Sequence, residues 1–262
     1  MAVNSMSTRA LGVWRRRSAT AAMVGVLLYV LVDVVLQFLP PHYSPISDAE
    51  SNLAVGPYGW MMNLNFLGWA VTSSAAVGAL FATARTNHPG ARVPWPRLLG
   101  AGLALLALGG VCSGVLAFFP TDVVTAENDA AAVTADQGVV AETTAGTVHL
   151  VVATVGFVVA LVALVLLTAW LYQSGQLPAA RGLALAFTTL AVLGLVFLGL
   201  SLTVQPALLG LAERVCLLGI LGWTYSVAGG IRRLDQPSME KHATDDESHR
   251  RSRYTFSARS RG

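Results

Sequence analysis

Six apolar stretches, each about as long as a bilayer is thick, dominate this sequence, over about 19–39, 59–83, 98–119, 146–171, 183–204 and 207–228. A helix rises about 1.5 Å per residue, so a hydrocarbon core of about 30 Å takes about 20 residues to cross. Lipid offers the backbone no hydrogen-bond partners, which forces stretches of this length into helices. The expected fold is therefore all-α, a polytopic membrane helix bundle with six transmembrane helices. Composition agrees: 54% of the 262 residues are hydrophobic and 12% are charged, against about a quarter charged in soluble domains. The first stretch follows Arg9 and Arg15–Arg17, as in a signal peptide. It is longer than such an apolar region, however, and no A-x-A-like site precedes Pro40, so it reads as the first span.

Charge decides the orientation. Six spans place both termini and the segments 84–97 and 172–182 on one side, together with sixteen of the 17 basic residues. The remaining one, Arg214, lies within the last span. The opposite loops hold seven acidic residues and no Lys or Arg. The positive-inside rule then predicts a cell-membrane protein with both termini cytoplasmic. Its expected divisions are a cytoplasmic segment 1–18, a six-helix membrane domain 19–230 and a cytoplasmic tail 231–262. The tail is charged and poor in apolar residues from 235 onward, the signature of disorder. Arginine outnumbers lysine sixteen to one, a bias of GC-rich bacterial coding.

Polar residues inside the spans gather at one depth. Asp33, Asn63, Asn65, Ser113, His149, Glu213 and Arg214 all fall in the outer half, and the cytoplasmic halves carry no Asp, Glu, Lys, Arg or His. Charges and amides at such depths are costly unless they find partners. Asp33 and Arg214 are at matching depth and are expected to pair, or Arg214 to bridge Asp33 and a loop carboxylate such as Asp122. Residues i and i+1 do not face each other on a helix, so Glu213 is expected to turn elsewhere, toward His149. Polar contacts of this kind often serve only helix packing. A pocket for a lipid headgroup or partner, open to the outer face, is the functional alternative.

Chemistry is less legible. Ser51, Asp122 and His149 could compose a hydrolytic Ser/Asp/His set, although such a trio occurs by chance in most chains. No H-E-x-x-H, G-x-S-x-G or phosphate-binding glycine loop is present. A metal site needs about three protein ligands, and the outer loops offer two histidines, so no metal or cofactor is expected. Cys112 and Cys216 fall in apolar stretches and read as small buried hydrophobes. Gly110 and Gly114 form a single small-xxx-small pair, of the kind that lets helices approach closely, within a chain or between copies. Tyr58, Trp60 and Trp95 lie near span ends, as interfacial anchors do. The tail lacks the aromatic interleaving of a nucleic-acid binder. Membrane lipids, and a helix-mediated oligomer or protein partner, are the expected company.

The stretch YSPISDAESNLAVGPYGWMMNLNF from Tyr43 resembles a bacterial family of multi-span membrane proteins catalogued as a domain of unknown function, number nine-nine-eight. FFPTD at Phe118–Asp122, GTVHLVVA at Gly146–Ala153 and ERVCLLGILGW at Glu213–Trp223 are similar to its other recurring blocks. The resemblance spans about residues 20–230 and implies a six-helix bundle with polar residues near Ser51, Asp122, His149 and the Glu213–Arg214 pair. Asn52 stands where such blocks often carry an acidic residue. The expected function is that of a non-enzymatic membrane protein with an outward-facing polar layer that binds a lipid headgroup or partner. An intramembrane lipid hydrolase is the alternative, and a small-solute transporter the third.

Overall fold

The computed structural model describes residues 8–40, 43–86, 95–122 and 143–234. The proposed disorder of 235–262, the segment 87–94 and most of the acidic loop 120–145 lie outside them. The described residues form six long helices and no strand: α1 Thr8–Gln37, α2 Gly59–Thr86, α3 Pro96–Leu116, α4 Thr144–Ser174, α5 Pro178–Ser201 and α6 Leu209–Arg233. All six are long and apolar enough to cross a bilayer. This is a multi-pass membrane protein.

Local chemistry sets the helix ends. Pro96 and Pro178 open α3 and α5, where the missing N–H is not needed and φ is preset. Thr143 caps α4, its hydroxyl accepting from the Gly146 amide at 2.9 Å. Gly175, at φ 73°, ends α4 in the left-handed region that glycine enters without strain. The main departure from the sequence reading is α1, which begins at Thr8 rather than near residue 19. Its arginine-bearing start continues the helix instead of preceding it. Arg15 is buried there because its Nη1 donates to Thr86 Oγ1 at 2.8 Å, which ties the start of α1 to the end of α2.

The helices pack as a closed ring in chain order, α1 against α2, α2 against α3 and so on, with α6 returning to α1. Small residues set the seams. A Cβ at Gly25 would collide with Thr72 of α2, and one at Gly194 or Gly219 would meet backbone across the α5–α6 seam. The Gly110/Gly114 pair faces Ser73 and Ala70 of α2, so a neighbouring helix of the same chain occupies it.

The two ends of the ring differ. One, the basic end, carries Arg9, Arg15–Arg17, Arg85, Arg97, Arg181, Arg232 and Arg233 at helix termini; the other, the acidic end, carries Asp48, Glu50 and Asp122 in its connections. The half toward the basic end is filled by Leu80, Leu106, Leu164, Leu167, Trp170 and Trp223. Trp223 Nε1 donates to Thr168 Oγ1 at 2.8 Å, and Thr168 shares a hydrogen bond with Thr188 at 2.9 Å, joining α6, α4 and α5. The half toward the acidic end is hollow.

Candidate functional site

The connection from α1 to α2 folds back over the hollow end, with a 3-10 turn at Glu50–Ala54. Arg214, on the first turns of α6, holds it there. Its Nη1 donates to the carbonyls of Pro45 (3.1 Å) and Gly210 (3.1 Å), and its Nη2 to the Tyr43 hydroxyl (2.6 Å). The guanidinium also lies over the Tyr43 ring at 5.2 Å and 3.7 Å from Asp33 Oδ1. Gln37 donates to the other Asp33 oxygen at 2.7 Å. Leu211 N donates to Ile46 O at 2.9 Å, and a Cβ at Gly210 would clash with the Pro45 and Asp48 carbonyls. The loop thus lies flat on the start of α6.

This clamp drives Glu50 inward until it is 3% exposed. Its amide donates to Glu213 Oε2 at 2.6 Å, and its carboxylate accepts from the Tyr29 hydroxyl at 3.2 Å. Burial, then the neighbouring charges of Glu213 and Asp33, push the Glu50 carboxyl well above the usual carboxylate range. Burial likewise raises the Tyr43 phenol, although Arg214 opposes it. Glu213 therefore meets Glu50, not His149, and Arg214 meets Asp33 and loop carbonyls rather than Asp122. Neither Glu50 nor Glu213 makes an ion pair among the described residues.

The other members of the polar layer divide by what they touch. Asn65 Nδ2 donates to Tyr29 O at 3.2 Å, and Ser113 Oγ to Phe66 O at 3.0 Å. Both join neighbouring helices. Asn63 is half-buried, with an Oδ1 that has no partner. Asp122 accepts from Thr143 N (3.0 Å) and Thr143 Oγ1 (2.8 Å), which fixes the end of α3 to the start of α4. Gly146 makes room for that carboxylate, because a Cβ there would collide with it. A carboxylate beside a helix N-terminus is also favoured by the helix dipole.

His149 docks the same joint: its Nδ1 lies 2.7 Å from Phe119 O. A carbonyl only accepts, so Nδ1 carries the proton and Nε2 is an acceptor. Nε2 is buried and has no partner. Ser51, Asp122 and His149 line one cavity, but the serine hydroxyl makes no bond to Nε2 and Nδ1 is held by a backbone carbonyl. The relay a Ser/His/Asp hydrolase requires is not assembled. Among the described residues, no three His, Cys, Asp or Glu side chains gather as a metal would need. Cys112 and Cys216 are both buried free thiols.

The cavity measures about 400 Å³, within the range of small-molecule sites. All six helices and the folded-back loop line it. Along α6 it runs from Leu209 to Leu221, about 18 Å at 1.5 Å per residue. Its floor is the packed leucine and tryptophan layer. Most of its wall is aliphatic; Tyr29, Phe66 and Trp69 bring aromatic rings, and Glu50, Glu213 and His149 bring acceptors. Thr154 and Val158 of α4 and Gly199 of α5 line it and are also exposed. The cavity thus opens sideways between α4 and α5, where a membrane would meet it. Those two helices are joined by the turn 175–177 at the basic end and share the slightest contact of any neighbouring pair.

Sequence reasoning missed Glu50, Tyr29 and Tyr43. Tyr29 had a signal: it precedes Asp33 by four residues and shares its helix face. Glu50 looked like one more solvated loop acid.

No curated protein and no solved structure matches the chain. The family model described as "Protein of unknown function (DUF998)" matches residues 23–230, a region that contains the whole cavity wall, and the chain belongs to that family.

Proposed function

We propose that this protein is non-enzymatic and holds an amphiphile, drawn from the surrounding lipid, in a chamber at its acidic end. The apolar part of the guest lies along the aliphatic wall between α4 and α5, and its head reaches Glu50, Glu213 and His149. The observation that carries this reading is the sideways opening: a mostly aliphatic cavity joins the bundle's lipid-facing surface to a buried polar wall. The partition of basic residues supports a cell-membrane orientation with the acidic end outside and both termini cytoplasmic, flanking the membrane domain 19–230 with 1–18 and 231–262. The filled basic half gives a transport path little support, and the unassembled relay gives hydrolysis little.

Native mass spectrometry of the full-length protein purified in mild detergent tests it. One co-purified amphiphile per chain is expected. Val158→Trp and Leu198→Trp, which fill the opening, should lower its occupancy while leaving the melting temperature within a few degrees. Stably folded protein that carries no amphiphile, or occupancy indifferent to both tryptophans, defeats the reading.

A further inference from the structure

Resting on the chamber reading, we infer that the head of the guest is a protonated amine, recognised by the carboxyl oxygens of Glu50 and Glu213, the His149 Nε2 acceptor and the aromatic rings of Tyr29, Phe66 and Trp69. Three observations converge. The acidic end gathers three carboxyl groups, buried Glu50 and half-buried Asp33 and Glu213, against one guanidinium, and that guanidinium is occupied by Asp33, Tyr43 and three carbonyls. Glu50 and Glu213 line the cavity, and neither makes an ion pair among the described residues. Separately, His149, only 3% exposed, lines the same cavity with an orphaned acceptor. A buried acceptor without a donor is costly, and a guest bearing N–H groups removes that cost.

The third observation is aromatic. Tyr29 and Trp69 meet edge to face at 5.6 Å, and Phe66 meets the His149 ring at 6.4 Å. All four rings line the cavity. Aromatic faces beside carboxylates attract ammonium ions through the ring quadrupole. Rings alone would suit a quaternary ammonium equally well. The Nε2 acceptor and the carboxylates discriminate, because a quaternary group has no N–H to give them. An anionic head would be repelled, and a neutral hydroxyl offers these acceptors one donor without a charge. The shared chemistry is thus a primary amine on an apolar chain, whether an ethanolamine phospholipid or a single-chain amine.

The test uses full-length protein in nanodiscs and two matched series. One compares phosphatidylethanolamine with phosphatidylcholine of identical chains; the other compares decylamine with decyltrimethylammonium and decanol. Charge-assisted hydrogen bonds predict about tenfold tighter binding of the amine within at least one series. The series that shows it identifies whether the source is a phospholipid or a free amine. Glu213→Gln and Glu50→Gln should each reduce the preference for the amine over decanol. Equal binding across both series overturns the amine assignment and leaves the chamber standing. Failure of every amphiphile, decanol included, defeats the chamber itself.

Discussion

At the scale of single residues, Arg214 does the most. It joins the folded-back loop, α1 and α6, and its removal leaves Asp33 uncompensated in a half-buried setting. Arg214→Ala is expected to cost about 3 kcal/mol or more, the scale of breaking a buried pair, read as a loss of thermal stability in detergent. Arg214→Lys should recover little, because an ammonium cannot reach the Pro45, Gly210 and Tyr43 oxygens at once. Combined with Asp33→Ala, it should cost less than the two singles together, by about 1 kcal/mol; strict additivity would show that the two charges do not couple. Glu50 makes a pH prediction. The folded protein holds its carboxyl above the ordinary 4.5, first by burial and then through Glu213 and Asp33, so the folded state binds a proton that the unfolded chain has released. That contribution is complete below the unfolded value and is lost as pH rises through the folded one. Glu50→Gln should therefore raise the melting temperature more at pH 9 than at pH 5, and parallel curves for wild type and variant would contradict it. Arg214 and Asp33 were legible in the sequence because a charge within an apolar run is costly until it finds a partner. Glu50 was not, because only the clamp made by Arg214 and Gly210 turns a loop acid into a buried one.

At the scale of elements, apolar length made all six helices legible, and their ends were less so. Periodicity in lipid does not mark where a helix outlasts the bilayer, and Arg15 continues α1 because Thr86, some seventy positions on, accepts its hydrogen bond. The seams were equally hidden. Glycine is common in membrane helices, and the sequence does not say which glycines meet a neighbour. The α5–α6 seam makes the distinction testable. A Cβ at Gly219 would run into the Ala191 backbone, whereas one at Gly68 meets open space. Gly219→Ala should destabilise by about 1–3 kcal/mol through overpacking. Gly68→Ala should be neutral or slightly stabilising, since alanine is the better helix former by up to about 1 kcal/mol. Unfolding midpoints measured side by side decide it; equal shifts for both variants would mean that α5 and α6 do not pack this closely.

At the scale of the molecule, two properties arise in different ways, and only one can be read from the chain. The chamber exists because six helices close a ring whose basic half is filled by Trp170, Trp223 and their leucines while the other half is spanned by a loop. No stretch of sequence encodes that volume. The charge partition, by contrast, is a sum over segments and survives any error in helix ends: sixteen of the 17 basic residues stay on one side. It also decides what the chamber can meet, since a cavity at the acidic end faces the outer leaflet only if the basic end is cytoplasmic. Single-cysteine labelling on intact cells checks this. Ile46 is exposed on the folded-back loop and Arg233 is exposed at the end of α6, while Cys112 and Cys216 are buried. The Ile46 contact to α6 is made by its backbone oxygen, so its side chain is free to change. A membrane-impermeant maleimide should label Ile46→Cys on intact cells and Arg233→Cys only after lysis. Labelling in the opposite order would place the chamber in the inner leaflet, where its guest would have to come from a different pool of lipid.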